Sequence, residues 1–567
     1  MEHFKKLILP EVVEITGLFA GLIWIIHYWF VSGFGLYEDD ITHVPTAVSM
    51  TWVQLFNYVK FNFANFGVID KPLHYSLIYT LSKLGYLMAG LPGIYALGFL
   101  ILTANSILMY ALLYRLSNRT MAVIGSLFFC LFFADTTQAF ITHSFGLQTS
   151  LMLFLVATHL YLSQRSAFSY IFLILTLITY ETVFPLFLAV PLLGKAWNKR
   201  LLRPIITNTI VMAIIISGDF FYRRLAGENR VATLNIKDAI QTSFIHMIQG
   251  PTVALGTYLL RPFQGLLKIN WETAIIIVII LLVLSFVLIK MDDPLNNMPG
   301  VKPPFHFLNI YKELPEDLQS FVRLAIIGLA MLILAYPLTF TIRAYAISGR
   351  DTRVHFAAVV GASIFCGSVF NIFLSLLHGY NQRKIAKVFL AVWFSLLAGF
   401  GFVVQNDYVQ AWQNEKDFWT QLLPQIQDVN QGTVILIDPN GLRDTRQIGA
   451  NTWNLPRVLN QIYTFPADWK NPPRVYRLNP GWDKLLVNDQ GLFSLDANST
   501  MAPPSLYTQV KSSDVILFDT SGGKLTRQTG PLVIGGKSYP LKDPNATTGM
   551  SFTKGFLYNL LIQTAKK

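Results

Sequence analysis

Apolar residues in this chain come in runs of membrane length. The first extends from Ile15 to Leu36. A helix needs about 20 residues to cross a bilayer, so this run is long enough. Lys5 and Lys6 precede it, and no small-residue cleavage site follows. It reads as an uncleaved first helix with its N-terminus inside. Further runs lie near 92–114, 120–135, 142–162, 204–221, 272–290, 323–343, 354–377 and 384–405. The stretch 168–197 is too long for one crossing and is interrupted at Thr179-Tyr180-Glu181. It reads as two short helices meeting at the outer face. Inside lipid every backbone polar group must be satisfied within the segment, which favours helices. The sum is about eleven crossings.

Composition and charge agree with this reading. Charged residues make up 13% of the chain and hydrophobic ones 53%. A soluble domain carries roughly 25% charge. Disorder, a coiled coil and an ordinary cytosolic enzyme are excluded. The net charge is +12. In a membrane protein that excess marks cytoplasmic loops. No long basic run is present, so nucleic acid is excluded as a partner. Lys5, Lys6, Arg115, Arg119, Arg165, the 195–203 cluster, Lys302, Lys312 and Arg383 to Lys387 fall on the inner side. The outer turns 135–141 and 179–182 carry no Lys or Arg, as the positive-inside rule requires. The segment 246–267 contains Pro251, Arg261 and Pro262 and is placed on the outer interface. Cys130 and Cys366 sit in apolar stretches and read as small buried hydrophobes rather than a disulfide or a metal site.

From about Asn406 the apolar runs shorten and Pro, Asn, Asp and Gly rise. Phe418 to Val429 has a helical pattern. Thr433 to Ile437 is a short β-rich run closed by Asp438-Pro439-Asn440-Gly441, a strong turn. Val515 to Phe518 is similar. The expected organisation is a transmembrane domain over 1–405, with a long amphipathic first outer loop at about 37–91. An extracytoplasmic soluble α/β or α+β domain follows over 406–567. The sequons at Asn498 and Asn545 are of a kind that arises often by chance.

Chemistry concentrates after the first helix. Tyr37 is followed by Glu38, Asp39 and Asp40, three acids in a row at a membrane edge. An amphipathic stretch from Val48 to Phe66 should lie in the interface plane. Asp70-Lys71-Pro72 then opens another amphipathic segment to Gly90. His27, His143 and His159 read as packed or interfacial, Asp219 and Arg223 as a local pair at a helix end, and no His/Asp spacing demands a metal.

In this order the motifs resemble those of the GT-C superfamily of polytopic, lipid-phosphate-sugar-dependent glycosyltransferases. These are related to the dolichyl-phosphate-mannose protein mannosyltransferase type, here in a bacterial-like form. The residues carrying the resemblance are Asp39-Asp40, Lys71-Pro72 and Leu113-Tyr114-Arg115-Leu116. Thr179-Tyr180-Glu181 with Pro185, and Gly349-Arg350-Asp351-Thr352-Arg353, continue it. It covers about residues 1–405. Several relatives have a second acid early in the fourth crossing; here that neighbourhood reads His143-Ser144-Phe145-Gly146-Leu147-Gln148, and the nearest acid is Asp135.

The resemblance implies an inverting glycosyltransferase of the cytoplasmic membrane, with its active site on the outer face. The donor is a polyprenyl-phosphate sugar, and the acceptor a glycan, lipid or protein at the membrane. Asp39 or Asp40 would take the acceptor's proton. The other would orient the acceptor or bind a divalent metal ion. Lys71, Arg350 and Arg353 would hold the leaving phosphate. Glu38, Asp135 and Glu181 are supporting candidates. The rival readings are a transporter or flippase of lipid-linked sugars, for which no internal repeat is apparent, and a binding protein that docks a partner through its C-terminal domain.

Overall fold

The computed structural model describes residues 9–69, 71–194, 197, 199–228, 235–291, 315–340, 343–377, 379–438, 441–442, 445–448, 455–477, 486–487, 491–494, 509–544 and 552–562. Lys5, Lys6, Asp70, Lys195, Lys302, Lys312, the Pro439-Asn440 centre of the turn and both sequons lie outside the described residues. The chain divides into two compact units. One comprises 1–32 with 53–406, the other 33–52 with 407–567.

The first unit is helical and apolar. With the helix Tyr380–Gln425, which continues past its boundary, the described residues hold seven helices long and apolar enough to cross a membrane by length and composition. The others are Val12–Gly33, Pro72–Leu116, His143–Leu162, Lys199–Leu225, Trp271–Lys290 and Ala358–Leu376. Shorter apolar helices occupy Arg119–Cys130, Ser166–Thr179, Glu181–Leu193 and Leu318–Leu334.

Local sequence explains many of the ends. Pro72 stands at the start of its helix, where a missing N–H costs nothing. Asn118 caps the next helix by accepting from the Met121 N–H at 2.8 Å. Asn270 and Thr273 form a reciprocal capping box before the most apolar helix. Arg115, the basic residue of the Leu-Tyr-Arg-Leu motif, donates to the Ser163 Oγ at 2.9 Å and to the carbonyls of His159 and Leu162. It thereby satisfies carbonyls left over at a helix C-terminus.

Helix pairs approach through small residues, as expected where lipid supplies no hydrophobic drive between helices. A Cβ on Gly361 would lie 2.2 Å from the Leu332 nitrogen, and one on Gly328 would lie 2.5 Å from that of Phe365. Backbone therefore meets backbone where Glu316–Leu334 crosses Ala358–Leu376. Within the stretch 168–197 the helices Ser166–Thr179 and Glu181–Leu193 are joined at Tyr180, whose backbone is extended at φ −159° and ψ 116°. The run at 92–114 is the second half of the helix Pro72–Leu116, bent where Ala89 leaves helical geometry. All but the last residue of the segment 246–267 falls inside a helix of 31 residues, Ile236–Leu266, with Arg261 buried. Cys130 and Cys366 are free thiols.

The second unit is built on a small sheet. Val434–Ile437 lies between two parallel neighbours, Arg474–Arg477 and Val515–Asp519. Thr526–Arg527 adds an antiparallel edge. Val434, Ile435, Leu436 and Ile437 are all buried, the continuous apolar pattern of a parallel strand covered on both faces. The helix Leu455–Ile462 supplies the crossover to Arg474–Arg477 and packs on that strand. Arg527 grips Asp428 bidentately, with N···O distances of 2.7 and 2.8 Å between buried side chains. The helix Asp40–Ser49 belongs to this unit. It packs on Leu455–Ile462 and Phe556–Ile562, and the Gln461 amide donates to the Thr46 hydroxyl at 3.1 Å.

Candidate functional site

The membrane unit gathers charge at the ends of its helices. Lys71, 7% exposed, immediately precedes Pro72. Its Nζ lies 3.3 Å from a Glu181 carboxylate oxygen and 3.9 Å from the centre of the Tyr180 ring. The non-helical turn at Tyr180 makes this possible. It stops one helix at Thr179 and starts another at Glu181, so ring and carboxylate both face the lysine. The second Glu181 oxygen, Oε2, is buried and has no hydrogen-bond partner among the described residues.

Tyr180 also touches Phe356 edge-on at 5.3 Å and the His74 ring at 6.0 Å. His74 stands one turn into the helix that Lys71 precedes. Its imidazole lies directly on Gly146: a Cβ there would meet Cε1 and Nδ1 at 2.0 Å. Gly146 belongs to a π-turn, His143–Leu147, that opens the helix to Leu162. Such turns occur frequently at functional positions. Gly146→Ala should push the ring away. We expect a loss of about 1–3 kcal/mol in stability from the overpacked ring. A thermal melt of the purified variant checks this, and an unchanged melt would mean the ring does not occupy that place.

The third group sits on the turn after Cys130. Asp135 is 1% exposed. Its Oδ1 accepts from the Thr137 N–H at 2.8 Å and from the Thr137 hydroxyl at 2.7 Å. The same hydroxyl is 2.8 Å from His143 Nδ1. Asp135 Oδ2 is buried without a partner among the described residues. Burial pushes the Asp135 carboxyl above its ordinary range, while the Thr137 donors and the Arg353 charge pull it back.

Arg350 and Arg353 lie on one 3₁₀ turn, Arg350–His355, leading into the helix Ala358–Leu376. The Thr352 hydroxyl fixes that turn to the preceding group: it is 3.0 Å from the Thr136 hydroxyl and accepts from the Thr136 N–H at 3.2 Å. Both arginines and His74 act electrostatically on His143. Lys71, His74, Asp135, His143, Tyr180, Glu181, Arg350 and Arg353 thus form one chain of contacts and charges within the first unit.

Asp219 and Arg223 pair at 3.4 Å, and Arg223 reaches Glu228 at 3.2 Å. Their charges extend the array toward Glu181.

Glu38, Asp39 and Asp40 lie in the other unit. Glu38 is 3% exposed and Asp40 is fully buried, whereas Asp39 is half-buried. Glu38 adopts φ +49°, a left-handed conformation uncommon for a residue with a side chain. Among the described residues no three His, Cys, Asp or Glu side chains are grouped to hold a metal ion.

The sequence reading chose Lys71, Asp135, Glu181, Arg350 and Arg353 one motif at a time. It quoted Tyr180 within a motif without giving it a role, missed His74 and Thr137, and treated His143 as packing. A polar triplet inside an apolar run marks Tyr180. Nothing local marks His74, whose neighbour Gly146 is far away in sequence. Searches against protein-family models, curated proteins and solved structures found no match.

Proposed function

We propose that this chain is an inverting glycosyltransferase of GT-C type with about eleven crossings, consistent with the length each crossing needs. It moves one sugar from a polyprenyl-phosphate donor to an acceptor hydroxyl on a glycan, lipid or protein. It is a multi-pass protein of the cytoplasmic membrane, with acids, cations and the region after Asn406 on the extracytoplasmic side.

The observation that carries this reading is the array of buried and half-buried charges around Lys71, Glu181, Asp135, Arg350 and Arg353. Charge is expensive within a helical membrane unit and is retained there for function. Cations at the ends of apolar helices suit a ligand with an anionic head and a hydrocarbon tail. In the proposed reaction an acid accepts the acceptor's proton, the role that the sequence resemblance gives to Asp39 or Asp40. The freed oxygen bonds to the anomeric carbon as the carbon–oxygen bond to phosphate breaks. The electron pair leaves on the phosphate. Arg350 and Arg353 stabilise that growing charge, Arg offering a planar fork. Lys71 supplies a further positive charge, already shared with Glu181. A single displacement inverts the anomeric configuration.

The test is direct. Purified protein in detergent is given a panel of polyprenyl-phosphate sugars and a labelled acceptor extract. We expect transfer from at least one donor, with release of polyprenyl phosphate. Movement of intact lipid-linked sugar across vesicles without any transfer would support a transporter and defeat the proposal. For sidedness, single cysteines at Ser49 and Ser538, both exposed, are introduced in a background lacking Cys130 and Cys366. We expect both to react with a membrane-impermeant reagent in intact cells. Labelling at neither site would place this unit on the inner side and defeat the proposed orientation.

A further inference from the structure

One side chain that the reaction scheme does not use helps to hold the acid turn. Tyr37 immediately precedes Glu38, Asp39 and Asp40 and is fully buried. Its hydroxyl donates to the Tyr408 carbonyl at 2.8 Å and accepts from the Gly35 N–H at 3.0 Å. Its ring meets that of Tyr408 edge-on at 5.0 Å. All these residues belong to the second unit. The strand of chain before Tyr37 is pressed flat on the same helix: a Cβ on Gly35 would lie 1.7 Å from the Trp412 indole. After it, the Asp40 N–H bonds to the Tyr37 carbonyl at 2.9 Å, and Glu38 takes its left-handed φ of +49°. Such a conformation in a residue with a side chain persists only where its surroundings impose it.

We propose that Tyr37 is the positioning residue of the acid turn. Its hydroxyl locks the Glu38 kink to the backbone at Tyr408 and so sets the direction of Asp39 and Asp40. This rests on the glycosyltransferase reading for its consequence, but not for its geometry. It also gives the C-terminal region a role. The residues after 406 are the scaffold of the acids. The Thr46–Gln461 bond holds the helix Asp40–Ser49 that follows the acids.

Tyr37→Phe removes the hydroxyl and keeps the ring. Transfer kinetics, thermal melting and amide exchange over residues 35–43 are measured on full-length protein. We expect kcat to fall at least tenfold with the donor KM within twofold of wild type. We expect the amides of 35–43 to exchange at least tenfold faster, with the global melt preserved. Wild-type kcat with wild-type exchange would overturn the proposal. So would a fall in kcat that merely follows general unfolding, since that is a structural loss. If the wild-type protein transfers no sugar from any donor, the glycosyltransferase reading fails, and local exchange alone then decides whether Tyr37 holds the turn.

Discussion

Replacing both Asp39 and Asp40 by Asn is expected to abolish sugar transfer while leaving expression and membrane insertion intact. Asn keeps the shape of Asp but cannot accept a proton at neutral pH. Losing a positioned general base costs about 10²–10⁴ in rate. The two acids should not be equivalent. Asp39 is half-buried and Asp40 has no exposed surface. Substrate reaches a half-buried carboxylate more readily, so Asp39 is the proposed base. The Asp40 charge acts on the Tyr37 hydroxyl. Asp39→Asn should therefore remove turnover at wild-type donor binding. Asp40→Asn should lower turnover and loosen the turn as well. Single-turnover rates, donor titration and exchange over 35–43 separate the two effects. A double Asn variant that turns over within threefold of wild type would end the enzyme assignment.

Much of this fold is written in the period of its apolar residues. Runs of membrane length announce helices because lipid offers the backbone no other partner. The polar Thr179-Tyr180-Glu181 inside one such run marks the turn that the structure builds there. Val434–Ile437 is legible as a buried strand because four consecutive apolar residues end at a turn-forming Asp-Pro-Asn-Gly. What escaped was non-local. Helix 40–49 follows a membrane run, so sequence reading keeps it with the membrane part. Its packing on Leu455–Ile462 and Phe556–Ile562 depends on contacts over four hundred residues apart in the chain. Arg261 escaped because Pro251 and Pro262 argue against a long helix. The helix runs through both. Buried Arg261 donates from Nε to the Phe133 carbonyl at 3.3 Å and stacks on Phe400 at 4.4 Å. A lone arginine in an apolar segment was the available signal. Conversely, the Lys71-Pro72 and Tyr-Glu motifs were each visible, but their meeting was not.

That meeting supplies the second large effect. Lys71 and Glu181 form an ion pair at 3.3 Å whose side chains are 9% and 25% exposed. Breaking a buried pair from one side leaves the other charge uncompensated, at a cost of about 3–5 kcal/mol. Glu181 keeps some solvent, so Lys71→Met should destabilise the membrane unit by about 3 kcal/mol, the lower end of that range. Glu181→Gln strands the lysine instead, but the Tyr180 ring still lies 3.9 Å from its Nζ. The cation–π contact offsets part of the loss, so this variant should suffer less. The double variant Lys71→Met/Glu181→Gln removes both charges and should recover more than half of the Lys71→Met loss. Detergent-denaturation midpoints of the four proteins close the cycle. Function should divide differently. If Lys71 also meets donor phosphate, the double variant regains stability but not donor affinity, because no ammonium remains to meet the anion. Equal recovery of both would make Lys71 a purely structural partner of Glu181, and would leave the phosphate to Arg350 and Arg353. Additive losses, with no recovery in the double variant, would mean that the pair is not formed in the membrane.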